Sequence, residues 1–203
     1  MEKGNAQAGA YATITRGGGM REKMNIHGRY DVRCYGKCGK MTLKWADGID
    51  NVVTDVGANY LLDHGFGGAQ NTTYYLGLIS SVGYTGIPVV GDTMSSHASG
   101  GHVWVEAGNG SNYPLWSTPS SDARATIAWS AAASRSKAIS SAASFVIAGT
   151  GGTVKGCFIV TGTGAVATNN DTNGTLYSAG VFTGGDKVVS VGDTLNVSYS
   201  TSV

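Results

Sequence analysis

Charge is scarce in this chain: Asp, Glu, Lys and Arg together make up 13% of it, against roughly 25% in ordinary soluble proteins. A monomeric cytosolic enzyme normally stays soluble behind a mixed charged surface. An uncharged surface, in contrast, can be covered by a neighbour without stranding unpaired ions. The shortage therefore favours an assembly subunit, although secreted β-domains share the composition. Cysteine is also sparse, with Cys34, Cys38 and Cys157 as the whole set. Three cannot form a disulfide framework, which needs a denser, even-numbered set, and point to synthesis in a reducing cytoplasm. Long apolar runs are missing as well. Residues 1–25 hold no signal-peptide core and no stretch approaches a membrane span, so the expectation is a chain neither Sec-exported nor embedded.

What is present is a core's worth of apolar residues, 41%, together with 32 glycines. That much apolar content argues against global disorder. The formal net charge of +1 conceals an asymmetry. Residues 1–44 hold nine of the fourteen Lys and Arg but only Glu2, Glu22 and Asp31 as acids, so this segment is +6 and the rest −5. Such a segment is either a solubilising tail or a basic arm that docks on an acidic surface. A protein partner is preferred to nucleic acid, because the bases are not interleaved with aromatics and show no helical period. Within this segment Arg16, Arg21, Lys23, Arg29, Arg33, Lys37 and Lys40 are the candidate partner-anchoring residues.

The pattern divides the chain into three. Residues 1–27, with Gly17-Gly18-Gly19, read as an extended arm, since glycine runs are expensive to order. Residues 28–70 read as a hairpin and a short helix. In RYDVRCY, Arg29, Asp31 and Arg33 alternate outward with Tyr30, Val32 and Cys34 inward, and MTLKWA follows across the turn GKCGK. Val52, Val53, Val56, Tyr60 and Leu61 recur at helical spacing; with Thr54 as cap and Gly65 as stop, they predict a helix over 54–64. Residues 71–203 read as a β-sandwich domain. Strands are expected at 73–80, 101–107, 124–131, 143–149, 153–162, 175–182, 187–191 and 194–200, separated by Gly, Asn, Asp and Ser. The fold class is mainly β, a jelly-roll or Greek-key-like sandwich. Val90-Gly91-Asp92-Thr93 recurs as Val191-Gly192-Asp193-Thr194, and both read as tight turns feeding strands.

Chemistry is thin. His97 and His102 lie five apart in a glycine-rich loop, a spacing that suits neither a strand pair nor a helix pair of zinc ligands. Cys34 and Cys38, with His27 upstream, lack a fourth ligand nearby. No G-x-S-x-G elbow, phosphate loop or dinucleotide fingerprint occurs, and no catalytic residue, metal or cofactor is expected. Asp47, Asp50 and Asp55 read as acids complementing the helix N-terminus. Glu106 and Asp122 flank Tyr113, Trp116 and Trp129, which keeps a glycosidase reading open. Trp104, Tyr113, Trp116 and Trp129 are either core or a carbohydrate-binding surface, and Trp116, between Pro114 and Pro119, is the least core-like.

The succession GRYDVRCYGKCGKMTLKW, NVVTDVGANYLLD, YYLGLISSVGYTGIPVVGDTMSSH and GTLYSAGVFTGGDKVVSVGDTLNVSYS resembles virion structural proteins of tailed bacteriophages, over roughly residues 28–203. The resemblance implies a particle protein made in many copies in the bacterial cytoplasm, with other virion proteins (a major capsid, tail or portal protein) as partners and a homo-oligomeric state. It carries no active-site residue. The leading expectation is an auxiliary capsid decoration protein that cements the head. The alternatives are a tail or head fibre subunit that meets a host receptor, and a glycan-binding or glycan-degrading module.

Overall fold

The alternation on the first strand is preserved in three dimensions. A computed structural model describes residues 25–37, 42–65, 73–97 and 104–203. In it Tyr30, Val32 and Cys34 are wholly buried, whereas Arg29, Asp31 and Arg33 face solvent. Over the described residues the chain is mainly β, an antiparallel curled sheet forming a β-sandwich with one short helix. The described elements are β1 (His27–Gly36), β2 (Thr42–Val53), α1 (Asp55–Gly65), β3 (Tyr74–Ser80), β4 (Val105–Glu106), β5 (Trp116–Thr118) and β6 (Ala125–Ile127). They continue with β7 (Ser136–Ala138), β8 (Ala143–Ile147), β9 (Gly152–Thr161), β10 (Thr175–Val181), β11 (Lys187–Val189) and β12 (Thr194–Ser202). A 3₁₀ turn at Met94–His97 precedes β4.

The strand order is β4-β3-β9-β10-β2-β1-β12-β8-β5, with β11 on β9, β6 on β3 and β7 on β12. Two segments carry the chain from one layer to the other. β2 pairs with β1 over most of its length, then offers Val52 and Val53 to β10. The segment expected as one strand over 124–131 is shorter as a strand because it changes partners. Residues 125–127 pair with β3, after which Ala128 accepts from the Ser140 N–H and the Ser130 N–H donates to Ala138. Trp129 sits at that corner.

Between the layers lies the main core, with Tyr30, Val32, Phe145, Leu195 and Val197 on one side and Leu76, Leu78, Cys157 and Ile159 on the other. β9 is covered on both faces: Phe158 and Val160 point outward, under Met94 and Trp104. This is why β9 reads as a continuous apolar run rather than an alternation. The Trp104 and Phe158 rings lie 4.9 Å apart.

The hairpin of residues 28–53, expected as part of a separate anchoring region, is built into the sandwich. β1 pairs with β12 from His27 opposite Ser202 to Tyr35 opposite Thr194, so the first and last described strands are neighbours. Sequence pattern identifies a hairpin, but not a third strand some 160 residues away that completes its buried face. The helix begins one residue later than expected and is capped as expected: the Gly57 N–H donates to Thr54 Oγ1 at 3.1 Å. It lies so close to β10 that a Cβ on Gly57 would stand 2.3 Å from the Tyr177 carbonyl oxygen. Only glycine allows that approach. Asp55 is in the first helical turn. Asp47 and Asp50, read with it as helix-end acids, instead lie on β2 and pair with Lys187 and Arg29.

Both Gly-Asp-Thr segments are turns built the same way. Asp92 Oδ2 accepts from the Val89 N–H at 2.9 Å, and Asp193 Oδ2 from the Ser190 N–H at 2.8 Å. In each, the aspartate N–H also donates back to that residue's carbonyl. The carboxylate replaces a backbone acceptor and closes the turn, which explains why both aspartates are buried.

Candidate functional site

Of the seven candidate anchoring residues, Arg16, Arg21, Lys23 and Lys40 lie outside the described residues. The other three follow β1 and its exit toward the hairpin tip. At about 3.3 Å per residue, Arg29, Arg33 and Lys37 are spaced by roughly 13 Å, a line rather than a cluster. Arg29 is compensated by Asp31 at 3.1 Å and Asp50 at 3.0 Å. Arg33 and Lys37 are exposed. The Lys37 stem lies over Gly192, and Lys44 pairs with Asp193 of the same turn. This end of the molecule also exposes Leu43 (50%), Val188 (66%) and Val191 (56%). Leu43 is on β2, the Val188 carbonyl accepts from the Trp45 indole N–H of the same strand, and Val191 precedes the Gly192 that Lys37 covers.

The residues singled out for chemistry have structural occupations. Glu106 and Arg124 are fully buried and joined by two bonds of 2.8 Å. Asp122 accepts from the Trp116 backbone N–H at 2.7 Å. Trp116, the least core-like of the tryptophans by sequence, is 2% exposed; its indole N–H donates to the Ala123 carbonyl, and its ring meets Phe145 edge-on. It is core, because β5 pairs with β8 and draws it inward. Cys38, His102 and the His97 side chain lie outside the described residues. Among those described, no group of three His, Cys, Asp or Glu is placed to hold a metal ion.

Cys34 and Cys157 are both buried and free. Burial pushes the Cys34 thiol up to about 11, with Asp193 adding to the effect, and burial alone raises Cys157 further. The thiolate is the reactive species. We therefore expect both to resist iodoacetamide at pH 8 in the native protein and to react fully in guanidinium chloride, as read by peptide mass spectrometry. Rapid labelling of either in the native state would contradict the burial.

A concavity of about 540 Å³ lies where the two layers meet. Leu61, His64 and Gly65 come from the last turns of α1, Tyr74 from the start of β3, and Tyr177 from β10. Ile127, Ala128 and Trp129 form the corner, while Lys137 of β7 and Thr201 of β12 stand directly opposite each other in register. The aromatic rings brace one another nearly at right angles. Tyr74 meets Trp129 at 5.3 Å, Tyr177 at 6.2 Å and Tyr60 at 6.3 Å. His64 stacks on Tyr60 at 3.8 Å, and its Nδ1 lies 2.7 Å from the Tyr60 carbonyl. A carbonyl only accepts, so Nδ1 carries the proton, and in the neutral ring Nε2 is an acceptor. Burial, reinforced by the neighbouring tyrosines, pushes the Tyr74 hydroxyl up to about 12, so it stays protonated. Tyr177 Oη donates to Thr201 Oγ1, which donates in turn to the His27 carbonyl. Among the described residues the lining offers aromatic rings, the Thr201 hydroxyl and the Lys137 ammonium, and no carboxylate.

No family model matches the chain, and neither does any curated protein or solved structure. Of the cleft residues, sequence pattern marks Trp129 as one of four aromatics, Leu61 as a helix-face residue and Gly65 as the helix stop. The cleft draws on six strands and helices scattered from residue 61 to residue 201, and no local period links them.

Proposed function

We propose that this chain is a structural component of a tailed-phage virion, an auxiliary protein that decorates and stabilises the capsid. The observation that carries this reading is the hairpin end of the sandwich, where Leu43, Val188 and Val191 are exposed and the Lys37 stem lies over Gly192, beside Val191. The described part of the basic segment, residues 25–37 and 42–44, runs through this same hairpin. An apolar patch edged with positive charge suits an acidic lattice surface, because the charges steer the encounter and the apolar area holds it. The sequence resemblance supports the same class of protein.

Stabilisation would follow from mass action. A ligand that binds only the assembled lattice stabilises it by about 2.7 kcal/mol at a hundredfold excess over Kd. The test uses heads of the producing phage purified without this protein. The full chain is expected to co-sediment with them and raise their melting temperature. A chain lacking residues 1–25 is expected to keep its own melting temperature but fail to bind. Binding by the truncated chain would refute the anchor role, and no binding by the full chain would refute decoration. Recovery in tail or vertex fractions, rather than in proportion to the lattice, would identify a fibre subunit instead.

A further inference from the structure

We propose that the aromatic cleft between α1 and the Trp129 corner is a binding site for an acidic saccharide, such as a uronic or sialic acid residue of a larger glycan. The inference does not depend on where on a particle the chain sits. At about 540 Å³ the cleft falls within the usual range for small-ligand sites, roughly 300–1,000 Å³. Tyr74 and Trp129 meet edge to face and are only partly buried, so they line the cleft with aromatic surface, whereas Tyr177 is buried and His64 is stacked on Tyr60. The apolar C–H face of a pyranose matches such aromatic surface, and its rim of hydroxyls needs hydrogen-bonding groups around the perimeter.

The perimeter supplies them asymmetrically. On one side, His64 Nε2 and the negative end of the α1 dipole favour hydroxyl donors and disfavour a multiply charged phosphate. On the other side stands Lys137, exposed and without an ion pair among the described residues. Its ammonium offers three donors and repels a cation, so it selects a ligand with one carboxylate on the far edge of the ring. A sugar acid satisfies both sides at once. A plain hydrocarbon would use neither, and a quaternary ammonium would meet Lys137.

The test is calorimetric titration of the full chain with sialyllactose, a galacturonic acid oligosaccharide, lactose and inorganic phosphate. At least one acidic saccharide is expected to bind more tightly than lactose, and phosphate alone not to bind. Lys137→Met leaves the fold intact, because the side chain is exposed. It should weaken the acidic ligand about tenfold, the worth of one charge-assisted hydrogen bond, and bring it level with lactose. Trp129→Ala should abolish binding of both sugars, with circular dichroism confirming the fold. Three results would each overturn the proposal: no acidic saccharide bound, equal affinity for lactose and the acids in the parent chain, or acidic binding unchanged in Lys137→Met.

Discussion

Replacing Arg124 by alanine is expected to cost about 3–5 kcal/mol of stability, the usual loss when one partner of a buried ion pair is removed. Arg124 and Glu106 are both inaccessible to solvent, and the guanidinium grips both carboxylate oxygens at 2.8 Å. It does more than neutralise a charge. Nη1 donates to the Val166 carbonyl at 3.1 Å, Nη2 to the Asp171 carbonyl at 2.7 Å, and the plane lies 5.4 Å from the Phe158 ring centre. Glu106 Oε2 also accepts from the Asn170 N–H at 2.8 Å. The pair thus ties the 162–174 connection to β4 and β9. Alanine would strand a carboxylate and two carbonyls together.

Urea unfolding would measure the loss. The double variant Arg124→Met with Glu106→Leu should lose less than the two single changes summed, because it leaves no unpaired charge. A loss under about 1 kcal/mol for Arg124→Ala would mean that water reaches the pair and that the fold does not depend on it. The same geometry answers the glycosidase reading of Glu106, since this carboxylate is fully committed to arginine and a backbone amide within the interior.

Trp116→Ala is expected to cost a similar amount, about 3–5 kcal/mol, as large aromatic deletions in a packed core do. The ring is 2% exposed, its indole N–H reaches the Ala123 carbonyl at 2.9 Å, and its edge meets Phe145 at 5.2 Å between centres. It fits so tightly that a Cβ on Gly108 would lie 2.5 Å from its outer carbon. The neighbouring segments are anchored, so collapse around the hole is limited and the cavity term persists. The midpoint in urea should fall with an unchanged slope, the mark of lost stability in a still cooperative unit. A near-neutral Trp116→Ala, with saccharide affinity lost, would return this residue to the surface role its sequence context suggested.

The two tryptophans show where sequence reading stops. Trp116, between two prolines, carries every local mark of an exposed loop; a strand pairing with β8, some thirty residues on, buries it. Trp129 lies in a segment that reads as an ordinary strand. A change of partners from β3 to β7 brings it to the corner and half exposes it. Exposure depends on what arrives from elsewhere in the chain, and neither residue's neighbours encode that.

By itself the amino-acid order determined the things that depend on a few adjacent residues. These were the inward set Tyr30, Val32 and Cys34, the helix with its Thr54 cap, the strands from β8 to β12, and the two aspartate-closed turns. Period and turn chemistry act over two to five positions, so they can be read without knowing the fold. The tertiary structure alone decided that β1 lies beside β12, that Asp47 and Asp50 belong to Lys187 and Arg29 rather than to the helix, and that His64, Tyr74, Trp129, Lys137 and Tyr177 enclose one cleft. Those outcomes rest on pairings that local pattern does not reach, from 21 residues apart for Arg29 and Asp50 to 175 for His27 and Ser202. Their stabilisation comes from shared burial, and shared burial exists only once the distant strands have met.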